Sequence, residues 1–489
     1  MITMTLAEVA AVTGGRLHRA TGDEQVTSVE FDSRKAAPGV LFLALPGERV
    51  DGHSFAAAAV AAGAAGGAGG GGVLAAGEVD APSVVVPPAA GAAGTYLAEN
   101  DPDGAGAAVL AALAKLARHS VDSLTDDSLE GLAVVGVTGS SGKTSTKDLL
   151  AAVLAPLGPT VAPPGSFNNE LGHPWTALRA DAGTRHLVLE LSARGPGHIA
   201  ALCRIAPPRI GVVLNVGRAH LGEFGSPEAI AQAKGELVEA LPAGGVAVLN
   251  ADDPAVAAMA TRTAARVVPV GRGADALVRA VDVTSDAGRA RFRLVTPAGE
   301  ADVALRLVGA HHVGNALSAA AVALELGATP AGVAESLSAA APASRWRMEV
   351  ADRADGVTVV NDAYNANPDS MRAALEALAD LGRDRRTWAV LGRMAELGDT
   401  EAAAHAEVAG AAAALGVGTL VAVGEPGYGP AARHVTDPAA ALALLRAEVS
   451  PGDVVLVKAS RAVGLDRVAD ALLNDTPRDD RQENELVSR

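Results

Sequence analysis

Between residues 131 and 340 short apolar runs recur at intervals: LAVVGVT, HLVLEL, IGVVLNV and GVAVLN, alternating with stretches of helical spacing. Uninterrupted apolar runs of this length suit strands buried on both faces, and the alternation predicts parallel strands joined by crossover helices. The habit returns after residue 341 with TWAVLG, TLVAVG and DVVLVKAS. Before residue 130 the runs are shorter and are interrupted by AAGAAGGAGGGG. There, PPAAGAAGTYLAENDPDGAG (87–106) reads as an exposed insertion, because it is dense in residues that break regular structure. The length allows two to four domains, and by texture the α/β pattern divides into three segments, 1–130, 131–340 and 341–475. A polar tail, TPRDDRQENELVSR (476–489), is expected to be disordered.

Composition narrows partners more than fold. Apolar residues make up 49% of the chain and aromatics 2%, so the interior should be aliphatic and finely packed. A formal charge of −16 with no basic block argues against general nucleic-acid binding. Anionic small molecules then need local Arg, Lys, backbone amides or metal ions. The single cysteine, Cys203, excludes an intramolecular disulfide framework and suits a reducing compartment. MITMTLAEVA lacks the basic start and long apolar core of a signal peptide, and the Ala/Gly run near 56–76 is too weakly hydrophobic to span a bilayer. A soluble, cytoplasmic protein is expected.

The chemistry begins at VVGVTGSSGKTST (134–146), where a strand runs into a glycine turn and a helix. Glycines let backbone N–H groups approach phosphate oxygens, and a helix N-terminus favours negative charge. Gly139, Ser140, Ser141, Gly142, Lys143, Thr144 and Ser145 are the candidate nucleotide contacts, with Lys143 for the terminal phosphates and the Thr144 hydroxyl for Mg²⁺. The first glycine of the general Walker pattern would fall at Val137, whereas the glycines here are 136, 139 and 142; a glycine-rich turn with a chance lysine is the bland alternative. In HLVLELSARG Glu190 stands at the end of an apolar run, His220 follows the run IGVVLNV, and Lys234 lies on the next helical stretch. The carboxyl edge of a parallel sheet is where an open α/β fold collects ligand groups. Taken singly, Glu190 reads equally well as a solvated strand-end charge, a lone histidine after a strand is more often a loop or core residue than a ligand, and a lone helical lysine is usually solvated.

Together these residues resemble the Mur ligase family, ATP-dependent enzymes that form amide bonds in peptidoglycan precursors. The family loop reads G-x-T-G-x-x-G-K-T, matched by Gly136, Thr138, Gly139, Gly142, Lys143 and Thr144. The resemblance implies a central P-loop ATPase domain flanked by an N-terminal UDP-substrate domain and a C-terminal Rossmann-like domain. It implies ATP and Mg²⁺, two ions, as cofactors, with Thr144, Glu190, His220 and Lys234 as the metal set. Lys234 would be carbamylated by CO₂, which turns a cation into an oxygen-donor anion and requires a neutral amine first. Lys143, His220, Lys234 and Arg345 are the implied catalytic residues.

VVNDAYNANPDSMRAAL (359–375) is similar to the D-x-Y-N-A-N-P-x-S-M signature of one branch, and FDSRKAAPGVLFLALPGERVDGHSF, GSFNNELGHPWTAL and AVLGRMAELG resemble the same branch. That branch joins D-alanyl-D-alanine to UDP-N-acetylmuramoyl-tripeptide through an acyl phosphate. By this resemblance Ser33, Arg34, Gly52 and His53 mark the UDP-sugar side, and Asn168 and Asn169 place the peptide-bearing substrate; loop capping is their alternative. His311 and Asn315 would face adenine, Arg345 and Asp362 phosphate and ribose, and Tyr364, Asn365 and Asn367 the acceptor dipeptide. A surface salt bridge is the alternative for Arg345, and an ordinary polar turn before Pro368 for the last three. His312, Arg393, Ala459 and Ala462 depart from the branch's usual Asn, Asp, Gly and Gly. Closure of the domains on hinges near 130 and 341 is expected, as is a monomer without nucleic-acid or membrane partners. Another Mur-type or folylpolyglutamate-type ligase, or a non-ligating nucleotide-binding relative, is the rival expectation.

Overall fold

Three large sheets follow one another along the chain, and Met4–Thr5 pairs with Gln25–Val26 in a separate two-stranded sheet. The computed structural model describes residues 1–475 except 48–49, 65–70, 88, 90–96, 98–100, 126–130 and 220. The tail, much of the expected insertion and His220 therefore lie outside the described residues. The first sheet has five strands in the order Arg16–His18, Ser83–Val85, Gly72–Ala75, Val40–Leu43, Ser28–Glu30, all parallel but the first. Asp101, buried at the end of the expected insertion, accepts from Gly106 N and Ala107 N at 2.7 Å and so starts the helix Ala105–Leu124. That corrects the reading of 87–106 as exposed throughout: a carboxylate on free helix N–H groups draws its far end inward.

The central sheet has nine strands, in the order Gly299–Val308, Arg289–Thr296, Val278–Asp286, Arg266–Gly271, Val246–Asn250, Ile210–Val213, Ala133–Thr138, His186–Glu190, Thr160–Val161. The apolar runs LAVVGVT, HLVLEL, IGVVLNV and GVAVLN all supply strands of its parallel part. The expectation of parallel strands throughout this segment is corrected at residues 278–308, which pair antiparallel. There RARFRLVT alternates exposed arginines with buried Phe292 and Leu294, the pattern of a sheet wet on one face. Beneath the parallel part, the helix Lys143–Leu154 packs Leu149, Leu150, Val153 and Leu154 against the helix His312–Glu325. The latter presents Ala316, Ala319, Ala320 and Ala323, all fully buried, so the alanine-rich composition becomes close helix packing.

The third sheet has six strands, in the order Glu349–Asp352, Thr358–Asn361, Val454–Lys458, Thr387–Leu391, Thr419–Val423, Arg433–Val435, parallel except at the first. The first two sheets meet over a shared core. Phe31, Phe167 and Trp175 stack with ring centroids 4.9–6.1 Å apart, and Trp175 Nε1 donates to Val29 O at 2.9 Å. In the central sheet, the strand Ala133–Thr138 lies between two strands that follow it in sequence, His186–Glu190 and Ile210–Val213. The loops leaving these three strands therefore diverge at a topological switch point, where open α/β sheets bind ligands. Among the described residues, no helix is long and apolar enough to cross a membrane.

Candidate active site

At the switch point the glycine turn is pinned from the neighbouring strand's loop. Ser140 N donates to Asn215 O at 3.2 Å, Ser141 N to Asn215 Oδ1 at 3.0 Å, and Ser140 Oγ to Gly217 O at 3.2 Å. Gly142 has φ +81°, and a Cβ there would come 2.7 Å from Asn315 Oδ1, so both conformation and space demand glycine. Lys143 opens the helix and folds its ammonium back onto the Gly139 carbonyl. Burial pushes its pKa down to about 8; Glu190 opposes the fall and Arg347 adds to it. A lysine so placed gains from any phosphate that replaces water around it.

One carboxylate is stranded beneath the loop. Glu190 is fully buried at its strand end; its Oε2 accepts from Asn168 Nδ2 and Thr144 Oγ1, both at 3.3 Å, while its Oε1 has no partner. Burial raises its pKa against the pull of Lys147, Arg347 and Lys143. A buried carboxylate oxygen left unpaired beside a threonine hydroxyl fits a hard cation, which supplies the missing contact. Lys234 is buried on the helix Pro227–Glu239, and burial, with Lys143 as a second cause, pushes its ammonium far below the ordinary lysine range. An amine kept neutral is the form that reacts with CO₂. His220 lies outside the described residues.

A cavity of about 320 Å³ opens above this floor. Ser140 through Ser145, Asn168, Asn169, His311, Asn315, Asp362, Tyr364, Asn365 and Asn367 all line it. Several have local work as well. Asn169 Oδ1 accepts from Leu171 N and Gly172 N, Asn365 Oδ1 from Ala366 N, and Asn367 caps the helix Pro368–Leu381 with Ser370. His311 is exposed at the edge of the cavity, and desolvation by the surrounding protein pushes its pKa down to about 4. His312 turns away from the cavity and stacks on His311 with centroids 4.1 Å apart. Ser33, Arg34, Gly52 and His53 do not reach this cavity. They sit in two short turns of the N-terminal region, where Arg34 pairs with Asp32 and His53 with Asp51.

Arg345 requires a correction. Its side chain is 68% exposed, 3.7 Å from Asp470, and takes no part in the cavity. Arg347 takes that place instead, with Nη2 donating to Ser166 Oγ at 2.9 Å and Thr144 Oγ1 at 3.3 Å, and the guanidinium 4.0 Å over the Tyr364 ring. In an extended segment residues two apart share a side. Here Trp346, between them, has φ +59°, and this left-handed turn breaks the alternation: Arg345 lies out in solvent and Arg347 in the cavity. Lys458, unassigned from the sequence, donates to Asp362 Oδ2 at 2.6 Å and Asn365 O at 2.8 Å. Its position at the end of the buried run DVVLVK is the signal that singled out Glu190, and it could have been read the same way.

The sequence matches three family descriptions: "Mur ligase family, catalytic domain" at 25–87, "Mur ligase middle domain" at 137–323 and "Mur ligase, glutamate ligase domain" at 346–461. It is 55% identical to the UDP-N-acetylmuramoyl-tripeptide–D-alanyl-D-alanine ligase of Mycobacterium tuberculosis (strain ATCC 25618 / H37Rv), over 97% of this chain and 98% of that protein. The chain belongs to the Mur ligase family. Among solved structures, this Mur ligase is similar to MurF from Acinetobacter baumannii, with a TM-score of 0.82, 29% identity and coverage of 97% and 99% of the two chains. It is also similar to MurF from Thermotoga maritima in complex with ADP, with a TM-score of 0.74, 29% identity and coverage of 91% and 96%. Two departures from the Mur ligase branch pattern are absorbed locally. Arg393 is exposed and bonded to Glu401, and Ala459 is buried in the core of the third sheet.

Proposed function

We propose that this Mur ligase joins D-alanyl-D-alanine to UDP-N-acetylmuramoyl-tripeptide at the expense of ATP, in the cytoplasm and as a monomer. The observation that carries the reading is the cavity itself. The DAYNAN segment supplies Asp362, Tyr364, Asn365 and Asn367 to the same cavity that Ser140 through Ser145, Asn168 and Asn169 line. A carboxylate is a poor acceptor for an amine because its oxygen leaves poorly. A carboxylate oxygen of the tripeptide attacks the γ-phosphorus, the bond to the β-phosphate oxygen breaks, and ADP leaves. The amine of the dipeptide then attacks the acyl carbon, the C–O bond breaks, and inorganic phosphate departs.

This chain's residues supply position and charge. The phosphate-loop amides and Lys143 hold the nucleotide's terminal phosphates, and Arg347 meets the phosphoryl group from the opposite wall. Thr144 and Glu190, with His220 and Lys234, are the residues that would hold Mg²⁺, which when bound neutralises charge on the β- and γ-phosphates. At Lys234 the neutral amine adds CO₂: an N–C bond forms, a proton leaves, and the carbamate offers oxygen donors. His311 and Asn315 face the base, and Asp362, fixed by Lys458, faces the sugar. Ser33, Arg34, Gly52 and His53 receive the UDP end of the substrate, and Tyr364, Asn365 and Asn367 the dipeptide.

The decisive experiment supplies tripeptide substrate labelled with ¹⁸O in its terminal carboxylate. Label must appear in inorganic phosphate when the dipeptide is coupled; coupling without that transfer overturns the mechanism, and phosphate release independent of any amine overturns the ligase reading. For the carbamate, Lys234→Ala should be inactive and partly rescued by short carboxylic acids; full activity without rescue discards it.

A further inference from the structure

Just past Lys143 on the phosphate-loop helix lies a charged pair that the reaction does not use. Lys147 is 3% exposed, and its ammonium contacts the Asp148 carboxylate and donates to Ser344 Oγ at 3.2 Å. Asp148 Oδ2 accepts from Ser344 N at 3.0 Å. The two side chains are 4% and 12% exposed. A buried ion pair is weak evidence for stability, because desolvation cancels most of its attraction; what this pair does have is geometry, since both partners bond Ser344.

Ser344 begins the stretch that ends at Arg347. Trp346 and Met348 hold left-handed φ of +59° and +50°, conformations that side chains of this size adopt only where the surroundings over-determine them. The downstream end is fixed by Trp346 N on Glu349 Oε2 at 3.1 Å and Met348 N on Asp362 Oδ1 at 3.0 Å. The upstream end is fixed by Asp148. Between these anchors Arg347 is turned into the cavity and Arg345 out of it.

We infer that Lys147 and Asp148 are positioning residues: they clamp Ser344 to the phosphate-loop helix and thereby hold the Arg347 guanidinium over Thr144 and Ser166. The clamp ties the arginine of the C-terminal region to the same helix that carries Lys143 and Thr144, so the two sides of the phosphoryl site are set by one rigid element. The kinetic part of this inference rests on the ligase reading above; the geometric part does not.

The test uses full-length Asp148→Ala, Asp148→Asn, Arg347→Ala and the Asp148→Ala/Arg347→Ala double variant. Hydrogen exchange of the 343–348 segment should rise about tenfold in Asp148→Ala, with the segment 143–154 unchanged. Acceptor-dependent kcat should fall about 10–50-fold while ADP affinity stays within about threefold, and adding Asp148→Ala to Arg347→Ala should cost less than about twofold more. If Asp148→Ala does not fold, Asp148→Asn keeps one oxygen for Ser344 N–H but loses the charge toward Lys147, and should show the same pattern at about 3–10-fold. Unchanged exchange at 343–348, full multiplication of the two substitutions, or ADP affinity falling in step with kcat each overturns the clamp. Wild-type protein without dipeptide-dependent phosphate release would instead overturn the ligase reading, and the exchange result would still judge the clamp.

Discussion

Arg345 and Arg347 form an internal experiment, since two arginines two residues apart face opposite environments. Arg347 is within hydrogen-bond reach of Ser166 and Thr144, at 2.9 and 3.3 Å, and both hydroxyls border the phosphate loop. Removing one preorganised charged donor from the transferring group costs about 3–4 kcal/mol, or about 10²–10³ in kcat. The fold should barely notice Arg347→Ala. The lost cation–π contact and hydrogen bonds are worth about 1–2 kcal/mol, and this is offset by releasing a guanidinium whose buried Nε has no partner. Arg345 is 68% exposed and 3.7 Å from Asp470. An exposed pair of that kind contributes about 0–1 kcal/mol, so Arg345→Ala should keep kcat within about twofold. Arg347→Lys keeps the charge but not the planar fork, and should recover about tenfold over alanine. The assay is dipeptide-dependent phosphate release at saturating substrates, with thermal melts as the folding control. Equal losses for the two alanine variants, or a loss under about fivefold for Arg347→Ala, would refute the assignment.

Glu190→Gln keeps the shape of the stranded carboxylate and removes its charge; the Mg²⁺ concentration for half-maximal phosphate release should rise at least about tenfold, and an unmoved requirement would exclude Glu190 from the metal set. Lys143 has a folded pKa of about 8 against an ordinary 10.5. The unfolded chain therefore holds a proton that the folded chain gives up between those values, and ligand-free stability should rise with pH through that window, by about 3 kcal/mol at most. Phosphates restore the proton, so ADP binding at pH 8 should take up about half a proton per site; calorimetry in buffers of different ionisation heat reads this, and zero uptake contradicts the placement. Glu407 is bonded to Arg218 at 2.7 and 2.9 Å and to Arg372 at 3.1 Å, with its pKa held to about 2, chiefly by Arg218. A depressed carboxylate stabilises above its unfolded value and loses that contribution as pH falls through the folded one, here from about 4.5 toward 2. Both side chains are 39% exposed, so after screening the pair contributes under about 1 kcal/mol. Glu407 lies on the helix Glu401–Ala414 and Arg218 in the loop after the strand Ile210–Val213, so Glu407→Gln should raise the KM for ATP about two- to fivefold at low ionic strength and less at high salt; a KM that stays put shows that the contact does not hold this helix to that loop.

What the sequence made legible follows the range of the forces involved. The phosphate loop is a contiguous stretch, and its strand, turn and helix are set by apolar runs and glycines that read out locally; Gly142 is required by its own φ and by Asn315 beside it. Glu190 was legible because parallel strands buried on both faces announce their carboxyl ends, and Lys458 carried the same mark. The antiparallel strands at 278–308 were within reach too, since RARFRLVT alternates with period two. Arg347 was not legible. Residue spacing alone makes it equivalent to Arg345, and the choice between them is made within a segment where Trp346 and Met348 hold left-handed φ. Those angles are fixed by amides bonded to Glu349 and Asp362, and by Ser344 bonded to Asp148 nearly two hundred positions earlier. No local propensity favours a left-handed tryptophan; the long-range partners impose it. The residues a motif finds are therefore the ones whose neighbours in sequence are also their neighbours in space. An arginine that two domains must share becomes visible only when the contacts that aim it are seen.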